Sequence, residues 1–199
     1  MGVSPSASRG KKHREFNGHA QPWTFKKYDE MVLGERVQID HMSAEKNALQ
    51  IKQFSAWERK SRHLTEQIYD SAESSDAKAF LVELVATAPY PILSVQVDGS
   101  SEFRGEFEKA CCELQIPLIV LPPASPKYNG GVERSNRSMR EEFYARDDLH
   151  AATLEEMHVE LQKAVHKYNY YRPHRWVKGK TPMEYINSTY KGDRLSHMS

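Results

Sequence analysis

Three carboxylates have types and positions that suggest chemistry: Asp40, Asp98 and Glu133. The first two sit in matching settings, Gln38-Ile39-Asp40 and Gln96-Val97-Asp98, each inside an apolar run that alternates as a strand does. Alternation sets Val37, Ile39 and His41 on one face and Gln38 and Asp40 on the other, and it likewise separates Val95 and Val97 from Gln96 and Asp98. A carboxylate where an apolar residue is expected is costly unless an Arg, a backbone donor or a cation meets it. Each residue alone has an ordinary explanation. Asp98-Gly99 reads as a strand-ending turn, Asp40 as a surface position or half of an ion pair, and Glu133 as a charge offsetting a helix N-terminus, worth about 0.3–1 kcal/mol. Taken together, three hard oxygen donors suit a divalent cation such as Mg²⁺.

The residues around Glu133 are basic and polar. Lys127, Asn129, Arg134, Arg137 and Arg140 flank it and could meet phosphates, a contact that is salt-dependent and largely blind to sequence. The alternative for Arg137 and Arg140 is pairing with Glu141 and its neighbours on a solvated helix face. Overall the 199 residues carry a net charge of only +1, so any preference for nucleic acid must come from where the charges lie. Basic residues gather before residue 28 and again over Lys167, Arg172, Arg175, Lys178 and Lys180; acidic ones gather between Glu141 and Glu160. Trp57 and Trp176 read as core or interface anchors rather than stacking platforms. The only two cysteines, Cys111 and Cys112, are adjacent, which disfavours both a disulfide and a zinc site and leaves them as small residues of a helix.

The elements that must position these groups follow from periodicity. Residues 36–42, 49–57 and 61–69 alternate as three strands of an antiparallel meander. Ala77, Phe80, Leu81, Leu84 and Val85 then form a helical stripe with Ser75 as its N-cap, stopped by Pro89 and Pro91. A short strand over 93–98, a helix marked by Phe103, Phe107, Cys111 and Leu114, and a buried strand over 116–121 come next. A helix begins near Gly130 with Asn129 as N-cap, so that Glu133, Arg137, Arg140 and Tyr144 share a face. Another helix, through Leu154, Met157, Leu161, Val165 and Tyr168, ends at Pro173, and Thr181-Pro182-Met183-Glu184 reads as a capping box. This order gives an α/β fold with a mixed sheet.

Asp40, then Asp98, then Glu133 with thirty-four residues between the last two, resembles the integrase-core transposases of bacterial insertion sequences, relatives of retroviral integrases. The likeness runs from Gly34 to Ile186. It includes Ser125-Pro126-Lys127-Tyr128-Asn129-Gly130, the closing Tyr168-Asn169-Tyr170-Tyr171-Arg172-Pro173-His174, and Lys178-Gly179-Lys180-Thr181-Pro182. The resemblance implies an RNase H-like fold, a five-stranded mixed sheet flanked by helices on both faces. It implies that Asp40, Asp98 and Glu133 are catalytic and together bind two Mg²⁺ or Mn²⁺ ions for DNA strand cleavage and strand transfer. It also implies DNA as partner and a homodimer or higher oligomer. The chain departs from the family where Asp-Asn-Gly-x-Glu-Phe is usual, reading Asp98-Gly99-Ser100-Ser101-Glu102-Phe103. The short basic arm before Gly34 does not accommodate the helix-turn-helix region usual in such transposases, so end recognition is expected to be absent or supplied by a separate DNA-binding chain. The expected organisation is a flexible basic arm over 1–27, a catalytic core over 28–188 and a tail over 189–199, in a cytoplasmic, nucleoid-associated protein without a membrane segment. The competing readings are a weakly catalytic fragment that binds DNA, oligomerises or inhibits a sister protein, and a plain RNase H-like nuclease.

Overall fold

The computed structural model describes residues 20–22, 26–122 and 128–196. Strands β2 (Val37–Lys46), β3 (Leu49–Glu58) and β4 (Leu64–Tyr69) form the expected antiparallel meander. The β2–β3 turn is the pair Asn47-Ala48, both at positive φ (53° and 62°), the twist that suits a two-residue hairpin. Strands β5 (Val95–Val97) and β6 (Leu118–Val120) extend the sheet in parallel from β2. A further short strand, β1 (Ala20–Pro22), pairs in parallel with β6 and completes the order β1-β6-β5-β2-β3-β4. The five strands read from the sequence are therefore all present, and the sixth comes from a segment read as flexible arm. The rest of the arm up to residue 19 lies outside the described residues.

Two apolar layers cover the sheet. On one face, helices α1 (Ser74–Thr87) and α2 (Glu106–Glu113) pack Phe80, Leu81, Leu84 and Phe107 against Val37, Ile39, Phe54 and Val95. On the other, α3 (Gly130–Ser138), the segment after it and α4 (Leu154–Tyr171) pack Val132, Phe143, Met157 and Leu161 against Met42, Ile51, Trp57 and Leu64. Phe80, Leu81 and Leu84 are fully buried, each contributing about 1.5–3 kcal/mol by removal from water. Helix α5 (Pro182–Ser196) starts at the expected capping box: the Glu184 amide donates to Thr181 Oγ1 at 3.2 Å and the Thr181 amide to Glu184 Oε2 at 2.9 Å. It runs through most of the segment read as tail.

Three local expectations are corrected. Glu73, not Ser75, caps α1, and Asp76 Oδ2 accepts from the Glu73 amide at 2.9 Å. Phe103 belongs to a short 3-10 turn (Ser101–Phe103), and α2 begins only after Gly105, whose φ of +62° breaks the helix. Residues Met139–Tyr144 are π-helical, and the Ala145 amide reaches Arg140 O at 3.1 Å. The wider turn carries Tyr144 inward, where its hydroxyl donates to Gln53 Oε1 at 2.7 Å, so Tyr144 does not share a face with exposed Glu133.

Candidate active site

The site lies where β2 and β5 run side by side under α3. The parallel register sets Gln38 opposite Gln96, and two residues further along each chain stand Asp40 and Asp98. Both glutamines are buried, and both use the side-chain amide on one acceptor. Gln38 Nε2 donates to Tyr128 O at 2.7 Å and Gln96 Nε2 donates to it at 3.0 Å. Gln38 Oε1 also accepts from the Val132 amide at 3.2 Å, so one side chain grips the chain before α3 and the first turn of α3 itself. The polar residue beside each aspartate is thus the device that docks the helix bearing Glu133.

Close docking needs a missing side chain. A Cβ on Gly131 would stand 2.1 Å from Trp57 Cζ3 and 2.5 Å from Gln38 Oε1, whereas at Gly130 it would meet nothing within 4 Å. Gly131 therefore lets α3 rest on the β2–β3 surface. From the same helix, Asn136 Nδ2 donates to Asp40 Oδ2 at 2.9 Å. Sequence reasoning missed Asn136. It lies one turn beyond Glu133 on the buried stripe of Val132 and Ser135, a place that takes its meaning only from the strand beneath it.

Burial first, then the negative charge of Asp98 and to a lesser degree that of Glu133, push the Asp40 carboxyl up to about 6. Glu133 is raised as well, by desolvation and then by Asp98. The three carboxylates thus feel one another across the site. Glu133 is exposed, however, and among the described residues no group of three His, Cys, Asp or Glu side chains is arranged to close around a metal ion. Asp98 Oδ1 accepts the Ser100 amide at 3.0 Å, closing a local turn over Gly99. His41 faces the opposite way, as alternation requires. Its Nδ1 lies 3.4 Å from Glu102 Oε1 and its ring packs on Phe54.

The flanking basic residues separate into distinct settings. Arg134, Arg137 and Arg140 are exposed, and Arg137 lies 3.7 Å from Glu141 in an i,i+4 pair. Asn129 is the N-cap residue of α3 but is only 3% exposed, makes no capping hydrogen bond and has its Oδ1 without a partner. Lys127 lies outside the described residues. Trp57 is a core residue at 6% exposure, while Trp176 projects into solvent at 66%. Cys111 and Cys112 are free, and burial pushes the Cys111 thiol up to about 12. No helix among the described residues is long and apolar enough to cross a membrane.

Comparison with known proteins bears on this arrangement. The family described as integrase core domain matches residues 114–182, a segment that holds Glu133 and the α3 arginines but neither aspartate. No curated protein matches the chain in sequence. Among solved structures, a chain of the simian T-cell lymphotropic virus intasome in complex with PP2A regulatory subunit B56 gamma superposes with a TM-score of 0.67 at 18% identity, over 89% of this chain and 60% of that one. The present chain thus spans about three-fifths of that relative's length. The catalytic core domain of BIV integrase superposes with a TM-score of 0.62 at 22% identity, over 80% of this chain and 98% of that one. Residues 114–182 are thus similar to the integrase core domain family, and the chain has the RNase H-like fold of retroviral integrase catalytic cores.

Proposed function

We propose that this chain is the catalytic core of a DNA transposase or integrase, in which Asp40, Asp98 and Glu133 hold divalent cations, Mg²⁺ or Mn²⁺, for strand cleavage and strand transfer. The observation that carries this reading is the hydrogen bond from Asn136 to Asp40, which ties the helix bearing Glu133 to the strand bearing Asp40, beside the strand that leads into Asp98. The donor set fits such cations: three hard oxygen ligands whose mutual repulsion a positive ion relieves. Two bound ions would supply charge stabilisation for the attacking and leaving oxygens of a phosphodiester.

The chain's own residues orient the site. Gln38 and Gln96 hold the entry to α3, Asn136 fixes one oxygen of Asp40, and the Ser100 amide fixes one oxygen of Asp98. Arg134, Arg137 and Arg140, exposed on or just after α3, neutralise DNA phosphates without reading sequence. No covalent link between protein and DNA is needed, so Ser100, Ser101 and Tyr128 have no nucleophilic task. DNA and a second copy of the chain are the proposed partners, with the element ends read by another chain and the assembly nucleoid-associated in the cytoplasm.

The exposure of Glu133 and the open arrangement of the carboxylates favour a second reading, a fragment that binds DNA or a full-length sister protein without cutting. Nicking and strand transfer on branched and pre-nicked DNA with Mg²⁺ or Mn²⁺ separate the two. Products made by the wild type and lost in Asp40→Asn, Asp98→Asn and Glu133→Gln support the enzyme. A wild type no better than these variants, yet still bound to DNA, supports the fragment.

A further inference from the structure

A cleft of about 580 Å³ opens beside the first turn of α3, next to Gln38. Among the described residues five arginines line it and no carboxylate does: Arg59 and Arg62 from the turn after β3, Arg134 from α3, and Arg172 and Arg175 from the chain after α4. Arg172 is committed to Glu142 by paired contacts of 2.9 and 3.0 Å. Arg59, Arg134 and Arg175 have no acidic partner among the described residues, although Arg59 is half-buried and burial holds its guanidinium below the ordinary range. His174, also in the lining, has a buried Nε2 without a partner, and burial followed by Arg172 and Arg62 pushes it down to about 4. A region that keeps a histidine neutral and leaves three guanidiniums without counter-charge is built to receive an anion.

The aromatic side of the cleft points to what the anion carries. The Arg62 guanidinium lies 4.7 Å from the Trp57 ring centre, 5.1 Å from that of Tyr28 and 5.4 Å from that of Trp176. Arg62 holds this position at a φ of +70°. The cluster accounts for Arg62 as a strut between the N-terminal segment and the loop after α4. Trp176 meets this cluster through Arg62 and through Tyr28, 6.4 Å between ring centres, yet stays 66% exposed and so leaves indole surface uncovered beside Arg175. A base inside a duplex has both faces occupied by its neighbours, so an internal pair cannot lie on that indole whereas an unpaired base can.

We propose that this cleft binds an unpaired nucleotide of the DNA strand being processed, its phosphate between Arg59, Arg134 and Arg175 and its base stacked on Trp176. The inference rests on the DNA-processing reading and names the strand state that the site selects. Gln38 lines the cleft two residues before Asp40, and Arg134 follows Glu133, so a nucleotide held here adjoins the carboxylates. Unpairing opposes this binding, and stacking plus the arginine contacts offset it.

The test uses the full chain in EDTA, so that cleavage plays no part. Fluorescence anisotropy compares a blunt duplex with the same duplex carrying a short single-stranded overhang. The overhang DNA should bind about 10–100-fold more tightly, and Trp176→Ala and Arg59→Gln should each remove most of that preference. Equal affinity for the two DNAs, or a preference unchanged in Trp176→Ala, overturns the inference while leaving DNA binding intact. Failure to bind either DNA overturns the inference and the DNA-processing reading together.

Discussion

Asp40 sits where a carboxylate is expensive, mostly buried on an apolar strand and close to two like charges. What makes it tolerable in the folded chain is neutral donors, the His41 backbone amide and, from the facing helix, Asn136 at 2.9 Å. A hydrogen bond to a charged group is worth about 1.5–3 kcal/mol, and losing it frees the carboxylate to turn away from the site. Asn136→Ala should therefore lower the Mn²⁺-dependent nicking rate by about 10–100-fold while leaving the circular-dichroism spectrum unchanged. A nicking rate equal to wild type would remove Asn136 from the machinery. The aspartates could be read from the sequence because each interrupts an apolar alternation. Asn136 could not, because on a helix with a polar face one more amide breaks no pattern until the strand beneath it is known.

Helix α3 is held by an exchange of backbone for side chain: the two glutamine amides take the carbonyl before it, and Gly131 leaves room for Trp57. Gly131→Ala forces the indole or the helix to move, and overpacking of this kind costs about 1–3 kcal/mol. The expected result is a lower melting temperature and a loss of nicking larger than the loss of stability explains, because Glu133 rides on the same turn. An unchanged melting temperature would mean that α3 docks otherwise. The strand–helix order was legible because burial on both faces of a sheet leaves short apolar runs between helical stripes. The π-helical segment and the pairing of β1 with β6 were not. The first depends on Tyr144 reaching Gln53, and the second on an edge some hundred residues away in sequence.

Under α4, the sheet also carries a charge problem of its own. Glu66 on β4 is fully buried, receives Ser55 Oγ at 3.2 Å on one oxygen and leaves the other without a partner, and burial pushes it up to about 8. Its carboxyl is protonated in the fold at pH 6, whereas in the unfolded chain it ionises near the ordinary 4.5. The stability this group contributes is thus fully present below about 4.5 and is lost as pH rises through about 8, on the order of 5 kcal/mol in all. Chemical denaturation at pH 5 and pH 8.5 should show wild type losing more stability than Glu66→Gln, which cannot ionise. Parallel losses in the two proteins would place the pH dependence elsewhere.

For the whole molecule, a net charge of +1 says little about DNA, because the charges are sorted rather than balanced. Acidic residues pair locally, Glu141 with Arg137 and Glu142 with Arg172, while Arg134 stays open at the mouth of the cleft. The composition was legible, but which arginines remained available was not, since that depends on α3 and the loop after α4 meeting across the sheet. If this sorted surface takes phosphates, affinity falls linearly with the logarithm of salt concentration, and the slope counts the contacts. Arg134→Ala should weaken binding to every DNA sequence alike and flatten that slope by about 1. Arg137→Ala should flatten it less, because Glu141 already shares that charge at 3.7 Å. Anisotropy titrations across a salt series measure both variants, and slopes identical to wild type in the two would move the phosphate contacts off α3 altogether.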